Sequence, residues 1–217
     1  MDQYYPFEVV SLPYSYVSIM PCCDANTLYF HHDQFYANEV YRLNRLVERH
    51  RLTHLSLEEL LTQDINLPTA HANRLRDAAG SVYNHQFYFD GLNGASVASP
   101  SGFLTQQLSA SYGTVPNFVR LLTEAAQSLP GSGWVWLVTE SNGNLHIAIT
   151  RDNETVDLNF ISPIFVMDLW EHAYLPVHQF DIAQYVRAYL SRLDWEKAEQ
   201  RYAHAQERSQ PKQSFFQ

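Results

Sequence analysis

A buried strand that ends at two possible metal ligands is indicated by the stretch Phe165-Val166-Met167-Asp168-Leu169-Trp170-Glu171-His172-Ala173-Tyr174. The mostly apolar run 161–167 has the length and composition of such a strand. Asp168 at its end offers a carboxylate oxygen and His172 an imidazole nitrogen, which are ligand types that transition metals take. An ordinary strand end with a hydrogen-bonded polar cap has the same pattern. The stretch therefore indicates a metal site only if further ligands approach it.

The composition indicates a globular protein. The chain has 217 residues, 46% of them hydrophobic, and no apolar run approaches the roughly 20 residues that a membrane-spanning helix needs. A net charge of −9 disfavours nucleic acid and anionic membrane as partners. The first ten residues have neither a basic leader nor an apolar core, so we expect a cytoplasmic protein. Cys22 and Cys23 are adjacent, which disfavours a disulfide.

The N-terminal part predicts an extended arm followed by a long helix. Prolines in 1–26 exclude a long helix there, and Asn26 or Thr27 is suited to cap a helix over 28–51. Helical spacing predicts a core-facing stripe in that helix, formed by Leu28, His31, Phe35, Asn38, Tyr41, Arg42 and Arg45.

A second long helix completes a predicted hairpin. Ser56 and Glu59 have the spacing of a capping box, which opens a short helix. The long helix then runs over about 68–89, with Gly80 a possible irregularity. Two long helices joined by a short excursion form an antiparallel hairpin.

The character of the chain changes after residue 90. The Gly-, Ser- and Asn-rich stretch 91–102 predicts a boundary between an N-terminal domain, 1–92, and a C-terminal domain, 93–205, followed by a flexible tail, 206–217. Helices are predicted over 103–110, 117–128, 180–193 and 195–205, and strands over 134–139, 145–150 and 161–167. The first two strands are joined by a hairpin turn at 141–144.

Two further histidines complete a possible metal site. His31 begins the stripe of the first long helix, and His85 lies near the end of the second. Antiparallel pairing would bring these imidazoles together, with Asp168 and His172 arriving from the C-terminal domain. Three neutral nitrogens and one carboxylate, with room for solvent, suit a redox-capable ion such as iron or manganese.

A series of short sequence blocks extends from about residue 5 to about residue 205. The blocks are Leu12-Pro13-Tyr14, His31-His32 followed by Leu43-Asn44, Asn84-His85-Gln86-Phe87-Tyr88, Gly131-Ser132-Gly133-Trp134, Asp168-Leu169-Trp170-Glu171-His172-Ala173-Tyr174, Asp194-Trp195 and Arg201-Tyr202. In this order they resemble the signature blocks of the iron/manganese superoxide dismutases.

The resemblance implies a fold, a cofactor and a reaction. The implied fold is α+β: an N-terminal long antiparallel helical hairpin followed by an α/β domain with a three-stranded antiparallel sheet. The implied ligands of one iron or manganese ion per subunit are His31, His85, Asp168 and His172. The implied substrate is superoxide, which the metal converts to oxygen and hydrogen peroxide by one-electron cycling. A homodimer is also implied, with Glu171 reaching across the interface to a ligand histidine, and Trp134, Trp170 and Tyr174 surround the site or its dimer contact.

Several positions around the implied site depart from the family. Glu39 stands where the family has a gateway tyrosine, and its charge is expected to oppose entry of superoxide, so Glu39→Tyr should raise activity. Phe35 and Leu175 replace a histidine and a tyrosine that the family pairs across the dimer. Both polar partners are lost together, which avoids leaving one of them unpaired.

The glutamine that bonds the metal-bound solvent is also missing. Asn153 stands at its manganese-type position and Ser81 at its iron-type position, so the usual distinction between the two metals fails. Asn153 is one methylene shorter than glutamine and reaches the solvent only if the backbone moves closer or a water bridges. Asn153 and Glu39 are therefore the candidate catalytic residues beyond the ligands.

Two more replacements surround the implied cavity. Phe89 replaces a tryptophan and Ile182 an arginine. Arg42 or Arg45 could supply the lost positive charge, but a solvated helix face is the expected role of both.

Three functions fit these observations. The first is a superoxide dismutase with an altered, slower proton-delivery shell, and the second is a metal-binding relative in which Glu39 acts as a base or a fifth contact. The third is a structural dimer module without turnover. It is disfavoured because four ligand side chains without an ion would be buried, unpaired polar groups.

Overall fold

The computed structural model describes residues 3–95, 100 and 102–209. The helices are α1 (Ala25–Tyr29), a π-helical segment (Phe30–Tyr36), α2 (Ala37–Arg49), α3 (Leu57–Thr62), α4 (Thr69–Asp90), α5 (Gly102–Tyr112), α6 (Val115–Ser128), α7 (Glu171–His178), α8 (Ile182–Leu190) and α9 (Trp195–Ser209). The strands are β1 (Gly133–Glu140), β2 (Leu145–Arg151) and β3 (Ile161–Asp168). Within the described part of the chain, no helix combines the length and apolar composition needed to cross a membrane. The predicted α+β fold is confirmed.

The first long helix begins earlier than predicted. Asp24 is its N-cap, with a carboxylate oxygen that accepts a hydrogen bond from the backbone N–H of Thr27 at 2.7 Å. The predicted caps, Asn26 and Thr27, were therefore wrong because a carboxylate just before them satisfies the free N–H group.

A π-helical segment interrupts the first long helix at His31. Its wider turn allows the consecutive residues His31 and His32 both to be buried. His32 Nε2 lies 2.7 Å from the carbonyl oxygen of Val10, which ties the N-terminal arm to this segment. Beyond it the buried face consists of Glu39, Val40, Leu43 and Val47. The predicted stripe was wrong after Phe35, since Tyr41 is 61% exposed, because a regular helical period does not continue through a π turn.

The second half of the hairpin follows the prediction closely. Ser56 Oγ accepts from the backbone N–H of Glu59 at 3.2 Å, and Glu59 Oε2 accepts from that of Ser56 at 2.8 Å. These two bonds confirm the capping box. Helix α4 packs against α2 and runs without interruption through Gly80.

The three strands form one antiparallel sheet in the order β2-β1-β3. Central strand β1 is buried along almost its whole length, as expected for a strand covered on both faces. Its register places Trp134 opposite Asp168, the last residue of β3. This pairing delivers the carboxylate to the end of the sheet that faces α4.

The remaining differences concern helix ends and one missed helix. Helix α7 begins three residues after the end of β3, in a stretch where no helix was predicted, and it contains Pro176. Asp181 caps α8, so this helix begins two residues after the predicted start. Helix α9 extends to Ser209, four residues past its predicted end, and the rest of the predicted tail lies outside the described residues.

Candidate metal centre

Four side chains from three parts of the fold converge on one point. Their ligand atoms all lie within 4.8 Å of one another, and the residues are His31, His85, Asp168 and His172. Asp168 Oδ2 is close to the imidazole nitrogens: it is 3.1 Å from Nε2 of His31 and 3.5 Å from Nε2 of His172. Nε2 of His85 is 3.7 Å from the same oxygen. The predicted convergence of helix-borne and sheet-derived ligands is confirmed as geometry.

These four ligand atoms are buried without hydrogen-bond partners. Each is excluded from solvent, and none forms a hydrogen bond of acceptable geometry, although Asp168 Oδ2 is close to all three nitrogens. Burying unpaired polar atoms costs free energy unless something binds them. A cation at the centre would accept all four lone pairs, so these residues fit a metal ion.

The surroundings hold His31, His85 and Asp168 in their metal-binding forms. Burial lowers the pKa of His31 to about 4 and that of His85 to about 3, so both imidazoles are neutral at pH 7. Burial alone would raise the pKa of Asp168, but the neighbouring His172 and His31 outweigh it and hold that pKa below its usual value. Neutral nitrogens beside an ionised carboxylate are the forms that coordinate metals.

Backbone groups orient two of the ligands. His85 Nδ1 lies 2.7 Å from the carbonyl oxygen of Ser81, one helical turn earlier. Because that carbonyl can only accept, the proton of His85 is on Nδ1 and Nε2 is left free for a metal. Asp168 Oδ1 accepts from the backbone N–H of Trp170 at 2.7 Å, which turns Oδ2 toward the imidazoles.

Aromatic rings enclose the ligands. Tyr88 stacks on His31 and Phe89 meets it edge-on, with ring centroids 5.5 and 4.8 Å away. Phe35 lies 4.4 Å from the ring of His172. Phe35 and Phe89, two predicted departures, therefore contact ligands directly as apolar walls.

Two tryptophans connect the ligands to the turn after β2. Trp134 packs on His85 at 4.9 Å and Trp170 on His172 at 5.9 Å. Both indole N–H groups donate to the carbonyl oxygen of Asp152, at 2.9 and 3.3 Å. The turn that carries Asn153 is therefore held next to the ligand cluster.

Helix α4 holds the same turn from the other side. A Cβ atom on Gly80 would lie 2.0 Å from the backbone carbonyl oxygen of Asn153, so only glycine permits this approach. Asn84 Nδ2 donates to the carbonyl oxygen of Glu154 at 3.0 Å, and Asn84 Oδ1 accepts from the hydroxyl of Thr155. The backbone of Asn153 therefore lies against α4 at Gly80, five residues before the ligand His85.

A polar network connects the two candidate catalytic residues. Arg42 donates to Oε2 of Glu39 at 3.0 Å and to Oδ2 of Asp77 at 2.5 Å. Asp77 Oδ1 accepts from Nδ2 of Asn153 at 3.0 Å. Glu39 is buried, with 7% of its surface exposed. Two carboxylates bind the guanidinium of Arg42, although 37% of its side chain is exposed, whereas Arg45 lies on the exposed face of the helix.

Residues expected at the dimer contact lie on and beside α7. Glu171 is exposed, and its Oε2 accepts from the hydroxyl of Ser132 at 2.7 Å. Leu175 and Tyr174 are half-buried, and the ring of Tyr174 packs on Tyr185 at 5.7 Å. His172 is the most exposed ligand, with 25% of its side chain accessible. This side of the site is therefore the one that opens to solvent in the single chain.

The sequence does not reveal the role of Asp77 or of Gly80. Glu39 and Arg42 are three residues apart on one helix, a spacing that predicts an ion pair. No local pattern identifies Asp77, which joins the network across the hairpin.

Comparison with known proteins matches most of the chain to two domain models of one family. Residues 6–93 match the family model described as "Iron/manganese superoxide dismutases, alpha-hairpin domain", and residues 100–201 match "Iron/manganese superoxide dismutases, C-terminal domain". The chain is 32% identical over 196 residues to "Superoxide dismutase [Mn/Fe] 2" of Staphylococcus aureus (strain bovine RF122 / ET3-1), covering 90% of this chain and 97% of the relative. It is 31% identical, with the same coverage, to the protein of the same name from Staphylococcus aureus strain N315.

Proposed function

Because the chain belongs to the iron/manganese superoxide dismutase family, we propose that it converts two superoxide anions and two protons to oxygen and hydrogen peroxide. Its cofactor is one iron or manganese ion per subunit, which supplies one-electron cycling when bound. The ligands are His31, His85, Asp168 and His172. The observation that carries the proposal is the convergence of these four unpartnered, buried ligand atoms on a single point.

The chain's own residues prepare the site before any substrate arrives. The Ser81 carbonyl fixes the tautomer of His85, and the backbone N–H of Trp170 fixes the carboxylate of Asp168. Because these groups are already oriented, an ion would bind them with little rearrangement of the chain. The surrounding aromatic rings exclude bulk water and leave the substrate side near Phe35 and His172.

Proton delivery in this chain does not use the histidine–tyrosine pair that the family forms across the dimer. Phe35 and Leu175 have no ionisable group, so they cannot carry a proton. Glu39 and Asn153 are polar instead, and they are linked through Arg42 and Asp77. We propose Glu39 and Asn153 as the positions where this chain controls solvent near the ligands, and we expect turnover to be slower than in a family member that has the histidine, tyrosine and glutamine.

The two other functions have less support. Glu39 as a metal contact would have to leave the hydrogen bond that Arg42 donates at 3.0 Å. A purely structural module would gain nothing from four unpaired, buried ligand atoms, which destabilise the folded chain.

We also propose a cytoplasmic homodimer. Glu171 is exposed beside the partly exposed ligand His172, so its free carboxylate oxygen is available to a second copy of the chain. Glu171→Ala is expected to weaken the dimer in sedimentation experiments. A wild-type protein that stays monomeric at micromolar concentration would contradict this assembly.

Metal analysis and turnover test the proposed reaction together. The purified protein is stripped of metal, loaded with iron or manganese, and assayed for superoxide consumption per bound ion. We expect about one ion per subunit and activity with at least one of the two metals. A protein that binds an ion but leaves superoxide untouched would overturn the reaction and favour a different activity.

A matched pair of variants locates the site. His31→Ala should abolish stoichiometric binding, since it removes one of four ligands. His146→Ala, at an exposed histidine on β2, should bind metal as the wild type does. Equal metal content in the two variants would show that the ion binds elsewhere.

A further inference from the structure

We propose that Asp77, held by Arg42, is a positioning residue that fixes the Asn153 amide with its nitrogen turned away and its carbonyl oxygen presented to the metal cavity as a hydrogen-bond acceptor. This inference rests on the proposed metal centre. It assigns Asn153 a hydrogen-bond direction and identifies two residues outside the metal site, Arg42 and Asp77, as the groups that set it.

The contacts of the amide define its direction. Asn153 Nδ2 donates to Oδ1 of Asp77 at 3.0 Å, whereas Asn153 Oδ1 is buried without a hydrogen-bond partner. A side-chain amide has two ends that exchange when it turns over. The end beside Asp77 must be the nitrogen, because a carbonyl oxygen against a carboxylate oxygen would be repelled. The buried Oδ1 therefore remains as an acceptor in need of a donor.

Arg42 holds the Asp77 carboxylate in place. Its guanidinium donates to Asp77 Oδ2 at 2.5 Å and to Glu39 Oε2 at 3.0 Å. This bond leaves Oδ1 of Asp77 as the acceptor for the Asn153 amide. The orientation of the amide is thus fixed by the hydrogen bonds on both sides of Asp77.

The turn that carries Asn153 is held beside the ligands. The preceding carbonyl, that of Asp152, is bonded by Trp134 and Trp170, which pack on His85 and His172. The backbone oxygen of Asn153 is seated on Gly80, five residues before His85. A solvent molecule in the metal cavity is the donor this oxygen lacks, reached directly or through one further water.

The direction has a consequence for the metal. A hydrogen-bond acceptor stabilises nearby solvent as water rather than as hydroxide. Water is the form that a reduced ion, with its lower charge, would favour. Asn153 in this orientation therefore raises the midpoint potential of the bound metal. A donor at the same position would lower it.

Two variants test the inference by the midpoint potential of the iron-loaded and manganese-loaded protein. Asn153→Leu removes the acceptor without changing charge, and we expect the oxidised form to be favoured about tenfold, a fall of about 59 mV for one electron. Asp77→Asn is isosteric but frees the Asn153 amide to turn its nitrogen toward the cavity, so the potential should again fall. Removal of a negative charge alone would raise it, because a less negative site favours the reduced ion. The sign of the Asp77→Asn change therefore separates orientation from charge.

Glu124→Gln is the matched control, because it removes one carboxylate from an exposed ion pair on α6. Its potential should equal that of the wild type. A rise in Asp77→Asn, or no change in Asn153→Leu, would overturn the inference while metal binding and turnover stand. Failure of the wild type to bind iron or manganese would instead overturn the proposed function, and this inference with it.

Discussion

Gly80→Ala measures how tightly helix α4 and the turn at Asn153 are packed. The added Cβ would lie 2.0 Å from the backbone carbonyl oxygen of Asn153 and 3.2 Å from its carbonyl carbon. Carbon–oxygen contacts in proteins are about 3.3 Å or longer, so the two backbones must separate by more than about 1 Å. A side-chain rotation cannot relieve this contact, because the opposing atoms belong to the backbone. The turn itself is held in place by hydrogen bonds at Asp152, Glu154 and Thr155.

The size of the effect follows from two opposing contributions. Overpacking of this kind costs about 1–3 kcal/mol. Alanine in a helix interior gains about 0.5–1 kcal/mol over glycine. The expected net loss in free energy of unfolding is about 1–2 kcal/mol, or roughly 2–8 °C in Tm for a chain of this size.

Urea unfolding of the metal-free variant at fixed protein concentration provides the measurement, since bound metal would add its own stabilisation. Ala203→Gly is the matched control: it makes the reverse change at an exposed position of α9, where only helix preference acts. We expect it to lose about 0.5–1 kcal/mol. A Gly80→Ala protein as stable as the wild type, or more stable, would refute the close approach of the turn to α4.

Three further predictions concern metal, charge and pH. Free iron(II) or manganese(II) at about 100 times its dissociation constant should stabilise the metal-free protein by about 2.7 kcal/mol, and thermal unfolding that is unchanged by metal would contradict the site. Glu39→Gln should raise kcat/KM for superoxide at low salt and lose that advantage at high salt, because it removes a negative charge, whereas Glu48→Gln, at an exposed acid on the same helix, should have a smaller effect. The metal-free protein should be less stable at pH 5 than at pH 7. Burial lowers the pKa of His31 to about 4 and that of His85 to about 3. At pH 5 the unfolded chain therefore binds protons at these histidines that the folded chain does not bind. This stability is complete above the ordinary histidine pKa of 6.5 and is lost as the pH falls toward the lowered values, by about 3 kcal/mol for His31, and equal urea midpoints at the two pH values would contradict it.

The sequence by itself determined the strands, most of the helices and the four candidate ligands. The apolar runs around 134–139 and 161–167 and the turn at 141–144 were sufficient for the strands, because strand and turn preferences act over neighbouring residues. Ser56 and Glu59 likewise defined a helix start through a local pair of hydrogen bonds. His31, His85, Asp168 and His172 were recognisable from their sequence blocks.

Only the tertiary structure decided the surroundings of those ligands. The π-helical segment at Phe30–Tyr36 moved the buried face of α2, which a regular period cannot anticipate. Arg42 meets Asp77 from the other long helix, and Gly80 meets the turn after β2, so the partners in each pair are far apart in sequence. Local patterns contain no information about such contacts, because the free energy of a long-range contact depends on which surfaces the fold brings together. The four candidate ligands could therefore be predicted from the sequence. The hydrogen bond of the Asn153 amide could not, because its partner Asp77 is brought to it only by the fold.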